Sequence, residues 1–308
     1  MEKHNATPPG RATSAVCLSR GLNTMDIANE LRPVARTRPL AGYIGGKRNL
    51  AATITARLQA IPHKTYAEPF VGMGGVFFRR TLIARAEVIN DGNAEVSNLF
   101  RVLQRHYIAF LDMLKWQLSS RREFERLKAT DPKTLTDLER AARFLYLQRT
   151  AFGGKVTGQN FGVSAAEHSA FDVTRLGPML EEVHERLSGV TIEGLPYGDF
   201  ITRYDRPETL FYLDPPYWGT EHVYGEGLFA RADFERLAGL LKGLKGAFIL
   251  SLNDTPGVRE TFAGFRIEAV ANVAMIGSRS GKASPMGEAL ISGGAAYPKD
   301  RARARKRT

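Results

Sequence analysis

The segment "LFYLDPPYWGT", Leu210 to Thr220, constrains this chain more than any other. Its opening apolar run reads as a buried β-strand. Two consecutive prolines then remove backbone donors and fix φ, so a central strand cannot continue through them. The strand must end abruptly, leaving Asp214, Pro215, Pro216 and Tyr217 on a stiff loop at its carboxyl end. In open α/β sheets that end is where ligands bind.

Neighbouring segments supply such a sheet. "TYAEPFVGMGGVFFRRTLI" reads as a short strand, a glycine loop and the start of an apolar helix, and "AEVINDGN" as a second strand ending in an acidic turn. Strand, glycine loop, helix, strand and acid in that order mark a nucleoside-binding βαβ unit. "VTIEGLPYGDF", "GAFILSLND", "RIEAVANVAMIG" and "GEALISGG" are further strand patterns. Between the two groups, roughly residues 99–190, apolar residues recur at helical spacing. Thr136 and Glu139 form a capping-box pattern there. Within this block "FGGKVTGQNFGVS" alternates like a β-hairpin. The expected fold class is α/β, one sheet assembled from residues 40–98 and 191–293 and interrupted by a mainly helical insertion. Residues 1–39 are expected to form a disordered leader and 294–308 a basic disordered tail.

Several function classes lose support at once. No run of about 18 apolar residues occurs, so no membrane-spanning helix is expected, and the N-terminal residues lack a secretory signal pattern. Cys17 is the single cysteine of the 308 residues, which excludes an internal disulfide and a cysteine-based zinc cluster. The six histidines show no metal-ligand spacing, so no metal is expected. A cytoplasmic location follows as the expectation. The net charge of +11 sits mostly at the ends: six basic residues against one acid in 299–308, and six against three in 1–39. Such ends can hold phosphates nonspecifically, and equally can be solvated termini.

Three strand ends carry the candidate chemistry. Glycines in "EPFVGMGG" let backbone approach a cofactor closely, although such turns also serve plain strand–helix packing. The spacing lacks the lysine of a phosphate loop and is not G-x-G-x-x-G. Asp91, nineteen positions after Gly72, can accept from ribose hydroxyls. A nucleoside cofactor without a bound pyrophosphate fits this pair. "YGDF" offers Asp199 to an adenine amino group and Phe200 to its ring, while serving equally as a helix start. In "DPPY" a carboxylate beside a proline-fixed carbonyl presents two acceptors to the two N–H donors of an exocyclic amine. So held, the amine is drawn out of conjugation and its lone pair becomes nucleophilic. Tyr217 supplies a stacking face.

Taken in order, "GYIGGKRNL", "EPFVGMGG", "INDGN", a helical insertion, "YGDF" and "DPPYWG" resemble the Dam-like alpha group of N6-adenine-specific DNA methyltransferases, over roughly Leu40 to Ser292. The resemblance implies a Rossmann-like methyltransferase sheet, S-adenosylmethionine as methyl donor, and a flipped-out adenine as acceptor. It implies that Asp214 and the Pro215 carbonyl hold the amine, with Pro216 stiffening the loop and Tyr217 stacking on the base. Glu68, Phe70, Gly72 and Gly74 would line the cofactor, with Asp91 at its ribose and Asp199 and Phe200 at its adenine. Tyr43 and Lys47 would approach its methionine end or the target base. The insertion would be the target-recognition domain, reading double-stranded DNA through Lys155, Gln159 and Asn160, in an enzyme acting as a monomer. The alternatives are an RNA adenine methyltransferase and a DNA-binding relative without catalysis.

Overall fold

The computed structural model describes residues 31–43, 45–162, 169–221, 227–270 and 287–298. Seven strands form one sheet: β1 (Thr65–Glu68), β2 (Ala86–Asn90), β3 (Thr191–Glu193), β4 (Thr209–Leu213), β5 (Ala247–Asn253), β6 (Arg266–Val270) and β7 (Glu288–Gly293). Their order is β3-β2-β1-β4-β5-β7-β6. β7 runs antiparallel to β5 and β6, and the pairs among the other strands are parallel. This is the doubly wound order with an antiparallel strand slipped between the fifth and sixth. The topological switch falls between β1 and β4, so ligands are expected beyond the carboxyl ends of those two strands.

Burial explains why these runs are strands. β4 and β5 are buried along their whole length, as central parallel strands covered on both faces must be. Alternate residues serve opposite layers. Tyr66, Ile89, Leu210, Tyr212, Ile249 and Leu290 join one core cluster. Ala67, Val88, Phe211, Leu213, Leu250 and Ile291 join the other. The second layer is covered by helices α7 (Tyr197–Tyr204), α8 (Arg231–Lys242) and α9 (Pro256–Thr261), through Phe200, Phe234, Leu237 and Val258.

The first layer is larger. It holds α1 (Ala51–Gln59) and the helical block α2 (Ala94–Arg105), α3 (Tyr107–Lys115), α4 (Arg121–Ala129), α5 (Asp137–Thr150) and α6 (Val173–Leu187). Asn93 caps α2 by accepting from Glu95 N–H, and the Thr136–Glu139 capping box starts α5 as the spacing predicts. Phe100, Phe124, Tyr146 and Leu176 of this block share one continuous core with Tyr66 and Leu210 of the sheet.

Three local expectations need correction. The glycine loop leads into a single 3-10 turn, Phe77–Arg79, rather than a helix. That layer is already occupied by α1, and Phe77 and Phe78 are fully buried. Residues 31–39, expected in a disordered leader, are stitched to the chain. Arg32–Pro33 pairs antiparallel with Leu82–Ile83, and Thr37 is buried. The anticipated hairpin is a loop closed by one bridge, Ala151 to Phe161, around a 3-10 turn at Phe152–Gly154. Residues 1–30, 163–168 and the basic tail 299–308 lie outside the described residues, as do 271–286 between β6 and β7.

Candidate active site

A cavity of about 1560 Å³ opens at the carboxyl ends of the parallel strands. That exceeds the ~300–1,000 Å³ usual for one small ligand and leaves room for two. Glu68 at the end of β1, Asp91 after β2 and Asp214 after β4 all line it, with Tyr43, Phe70, Gly72 and Pro216. β1 stops before Pro69 and β4 just before Asp214, Pro215 and Pro216, where the prolines leave no backbone donor to continue the ladder.

Asp214 sits in a buried ionic cluster. Lys47 Nζ lies 2.6 Å from its Oδ1 and 3.1 Å from Glu288 Oε1. Lys47 also donates to the Tyr217 hydroxyl at 2.8 Å, which in turn donates to Glu288 Oε2 at 2.7 Å. Ser251 Oγ donates to the same Asp214 Oδ1 at 3.2 Å and is bonded to the Tyr212 hydroxyl at 2.9 Å. Both protein bonds to Asp214 therefore fall on Oδ1. The second oxygen, Oδ2, has no partner among the described residues, and the side chain remains 20 % exposed. Burial pushes the Asp214 carboxyl up to about 6 against the opposing pull of Lys47, so it is ionised at neutral pH. Burial alone would lower the Lys47 ammonium, yet Asp214, Tyr217 and Glu288 outweigh it and its pKa is raised. Burial likewise raises the Tyr217 hydroxyl.

The loop itself is bracketed. Asn253 Oδ1 accepts from Trp218 N–H at 2.9 Å and its Nδ2 donates to the Trp218 carbonyl at 3.0 Å. Arg231 lies over the Trp218 ring at 3.9 Å. Pro215 and Pro216 are buried behind Asp214, and Tyr217 is half-buried with its ring 4.3 Å from the Lys47 ammonium.

The other side of the cavity suits a cationic nucleoside. Gly72 has φ +50 and its N–H donates to Asp91 Oδ2 at 2.7 Å; a Cβ there would sit 3.0 Å from the Tyr43 ring. Asp91 Oδ1 accepts from Asn93 N–H at 2.8 Å, so this carboxylate closes the glycine loop and keeps further lone pairs for a ligand. Burial raises it to about 6 in spite of those two bonds. Glu68 accepts from the Tyr66 hydroxyl at 2.6 Å and is pushed up to about 8 by burial, so it holds a proton at neutral pH. Phe70, Tyr197 and Phe229 form an aromatic wall, with ring centroids 5.4, 5.9 and 5.7 Å apart.

Lys47 lines the cavity and is 3 % exposed; its three N–H donors face four acceptors, Gly45 O being the fourth, so it braces Asp214 and Tyr217. Other expected site residues stand elsewhere. Asp199 is exposed in the first turn of α7, where an acid favours the helix start, and does not line the cavity. Phe200 is fully buried against Tyr204 in the layer beneath; Leu195 and Tyr197 take the wall position. Gly74 does not line the cavity either: its φ of +74 turns the loop, and a Cβ would overlap the Phe78 ring. Lys155 and Asn160 are exposed, but Gln159 is buried and donates to Lys155 O at 2.8 Å, which holds the loop. Trp116, after α3 of the helical block, is 87 % exposed.

Glu288, Ser251 and Asn253 were not singled out in the sequence. Ser251 and Asn253 reach the site from β5, parallel beside β4, and Glu288 because β7 runs antiparallel beside β5, with Asn253 opposite Glu288. Only an acid opening the alternating run "EALISG" hinted at this, and an acid at a strand start is commonplace.

A sheet ordered 3-2-1-4-5-7-6, a glycine loop closed by the acid of the next strand, and an acid–proline–proline turn across the switch point define the S-adenosylmethionine-dependent methyltransferases of amino groups. Comparison with known proteins narrows the class. Residues 43–276 match the family described as D12 class N6 adenine-specific DNA methyltransferase, and the chain belongs to that family. It is 27 % identical over 273 residues to the type II methyltransferase M1.LlaDCHI of Lactococcus lactis subsp. cremoris, covering 82 % of this chain and 94 % of that protein. It is 22 % identical over 232 residues to the type II methyltransferase M.CviBI of Paramecium bursaria Chlorella virus NC1A, covering 74 % and 87 %. It is 28 % identical over 277 residues to the DNA N-6-adenine-methyltransferase of Escherichia phage P1, covering 84 % of this chain but 36 % of that longer protein. The chain is a DNA adenine methyltransferase that uses S-adenosylmethionine. Among the described residues no helix is long and apolar enough to cross a membrane. No group of three or more His, Cys, Asp or Glu side chains is placed there to hold a metal ion.

Proposed function

We propose that this chain methylates the N6 amino group of an adenine flipped out of double-stranded DNA, with Asp214 as the residue that holds the amine. The observation that carries the reading is the division of labour on Asp214: Oδ1 is anchored by Lys47 and Ser251, and Oδ2 is left to the cavity. Oδ2 accepts one N–H of the amine and the proline-fixed carbonyl of Pro215 accepts the other. The amine nitrogen then keeps its lone pair for attack, and catalysis is positioning plus electrostatics. Tyr217, pinned through its hydroxyl by Lys47 and Glu288, offers its ring face to the base.

S-adenosylmethionine, when bound, supplies an electrophilic methyl group on a positively charged sulfur. The residues present fit it. Phe70, Tyr197 and Phe229 form a wall for a purine, Asp91 retains lone pairs for a ribose, and Gly72 brings bare backbone to the cavity. The Lys47 cluster carries two carboxylates against one ammonium, so a net negative charge faces the positive sulfur. The helical block 99–190, with exposed Lys155 and Asn160, reads the DNA. The chain works as a monomer, in the cytoplasm where its substrate lies, within a restriction-modification or phage setting.

The test is modification-sensitive sequencing of DNA from a methylation-deficient host expressing the chain, with Asp214→Ala as control. N6-methyladenine in one short motif, absent from the control, is expected. Unmodified DNA despite soluble expression would overturn the reading in favour of RNA or of a binding protein.

A further inference from the structure

The floor of the cavity is acidic and its rim is basic. Arg36, Arg38, Arg48 and Arg79 line the same cavity as Glu68, Asp91 and Asp214. Three of these arginines are brought together by two independent routes. In the first, Arg32 pairs with Ile83 and Pro33 with Leu82. Val34 N–H then donates to Thr81 O and Thr37 N–H to Phe78 O, both at 2.9 Å. These bonds hold Arg36, the residue before Thr37, against the 3-10 turn Phe77–Arg79. In the second, Gly75 packs against the backbone of Lys47, where an added Cβ would lie 3.6 Å from Lys47 N. The Gly75 carbonyl accepts from Arg79 Nη1 at 2.5 Å, and Arg48 is the next residue along.

Like charges held close together repel one another. Here no acid relieves them. Arg36 and Arg48 are exposed and have no carboxylate partner among the described residues, and Arg79 donates to a neutral carbonyl. Burial, then Arg36, then Arg48 depress the Arg79 guanidinium pKa, so the three charges sense one another. Folding stability does not account for such a cluster; an anion seated among the three side chains does.

We propose that Arg36, Arg48 and Arg79 form a phosphodiester-binding site at the mouth of the cavity, holding the backbone of the DNA strand whose adenine enters it. This rests on the reading that a flipped adenine is the acceptor. Guanidinium groups match phosphate oxygens with paired N–H donors, which favours arginine here.

The test is the salt dependence of binding to a mixed-sequence DNA duplex, followed by fluorescence anisotropy, for the full chain and the Arg36→Ala/Arg48→Ala variant. Each lost phosphate contact lowers the slope of log Kd against log salt by about 0.9. The double variant is expected to lose between about 0.9, for one shared phosphate, and about 1.8, for two. The Arg36→Lys/Arg48→Lys variant is expected to keep most of the slope, and S-adenosylmethionine affinity by calorimetry is expected to be unchanged in both, which also reports that they are folded. An unchanged slope in the alanine variant overturns the proposal, as does a parent chain that does not bind the duplex. Weakened S-adenosylmethionine binding with an unchanged slope overturns it too, and reassigns the arginines to the cofactor's carboxylate. These slopes need no methyl transfer, so unmethylated DNA would sink the functional reading while a reduced slope still upheld the phosphate site.

Discussion

One oxygen of Asp214 is bonded to Lys47 and Ser251 and the other faces the cavity, so the residue is oriented by neighbours on two separate segments. Removing its carboxylate in Asp214→Ala takes away the acceptor that holds the amine. Methyl transfer should fall by roughly 10²–10³-fold, the cost of losing one preorganised polar contact in a catalytic site, while S-adenosylmethionine binding by calorimetry persists. A variant within a few-fold of the parent rate would remove Asp214 from its assigned role. The carboxyl holds the amine N–H most strongly when ionised, and burial lifts its pKa to about 6. The kcat/KM profile of the parent should therefore be level above that pH and decline below it; a level profile down to pH 4 contradicts the assignment. Glu288→Gln keeps an acceptor for Tyr217 but loses the ion pair to Lys47. A loss of about 1.5–3 kcal/mol in urea-derived stability is expected, the range for a hydrogen bond to a charged group. Of these residues Asp214 and Tyr217 were legible in the sequence, because "DPPY" has few structural uses. Glu288 and Ser251 were not, because a serine and a glutamate in β-like runs carry no such signal.

At the scale of elements, local rules worked where the signal was local. The capping box at Thr136 is formed as its spacing demands, with Glu139 Oε2 accepting from Thr136 N–H at 2.8 Å. Thr136→Ala should cost about 1 kcal/mol in chemical denaturation with activity retained. An unchanged midpoint would mean that α5 is held by packing alone. The strands adjoining Asp91 and Asp214 were equally legible from apolar runs ended by turn chemistry. Local reading failed where tertiary neighbours decided. The run after the glycine loop has helical composition, but α1 already fills that layer and the segment becomes a 3-10 turn. "FGGKVTGQNFGVS" alternates like a hairpin, yet its glycines at 153, 154 and 158 all take positive φ and a single bridge closes the loop.

Across the whole molecule, the helical block that interrupts the sheet in sequence does not stand apart from it in space. Phe100, Phe110, Phe124 and Tyr146 pack into the same core as Tyr66, Leu210 and Ile249. Unfolding by urea should therefore be one transition, coincident by near-UV and far-UV circular dichroism; two separated transitions would show that the block folds on its own. What the sequence determined by itself was the class of chemistry: two prolines can only end a strand, glycines allow close approach, and an acid at the next strand end closes the loop, all within a few residues of chain. What only the tertiary structure decided was which groups meet there. Lys47, Asp214, Ser251 and Glu288 are separated by up to 241 positions; Asp214 and Ser251 meet because β4 and β5 are parallel neighbours, and Glu288 joins them because β7 enters antiparallel beside β5. Register and strand direction are set by the burial of both faces, a property of the assembled sheet that no short stretch of sequence contains.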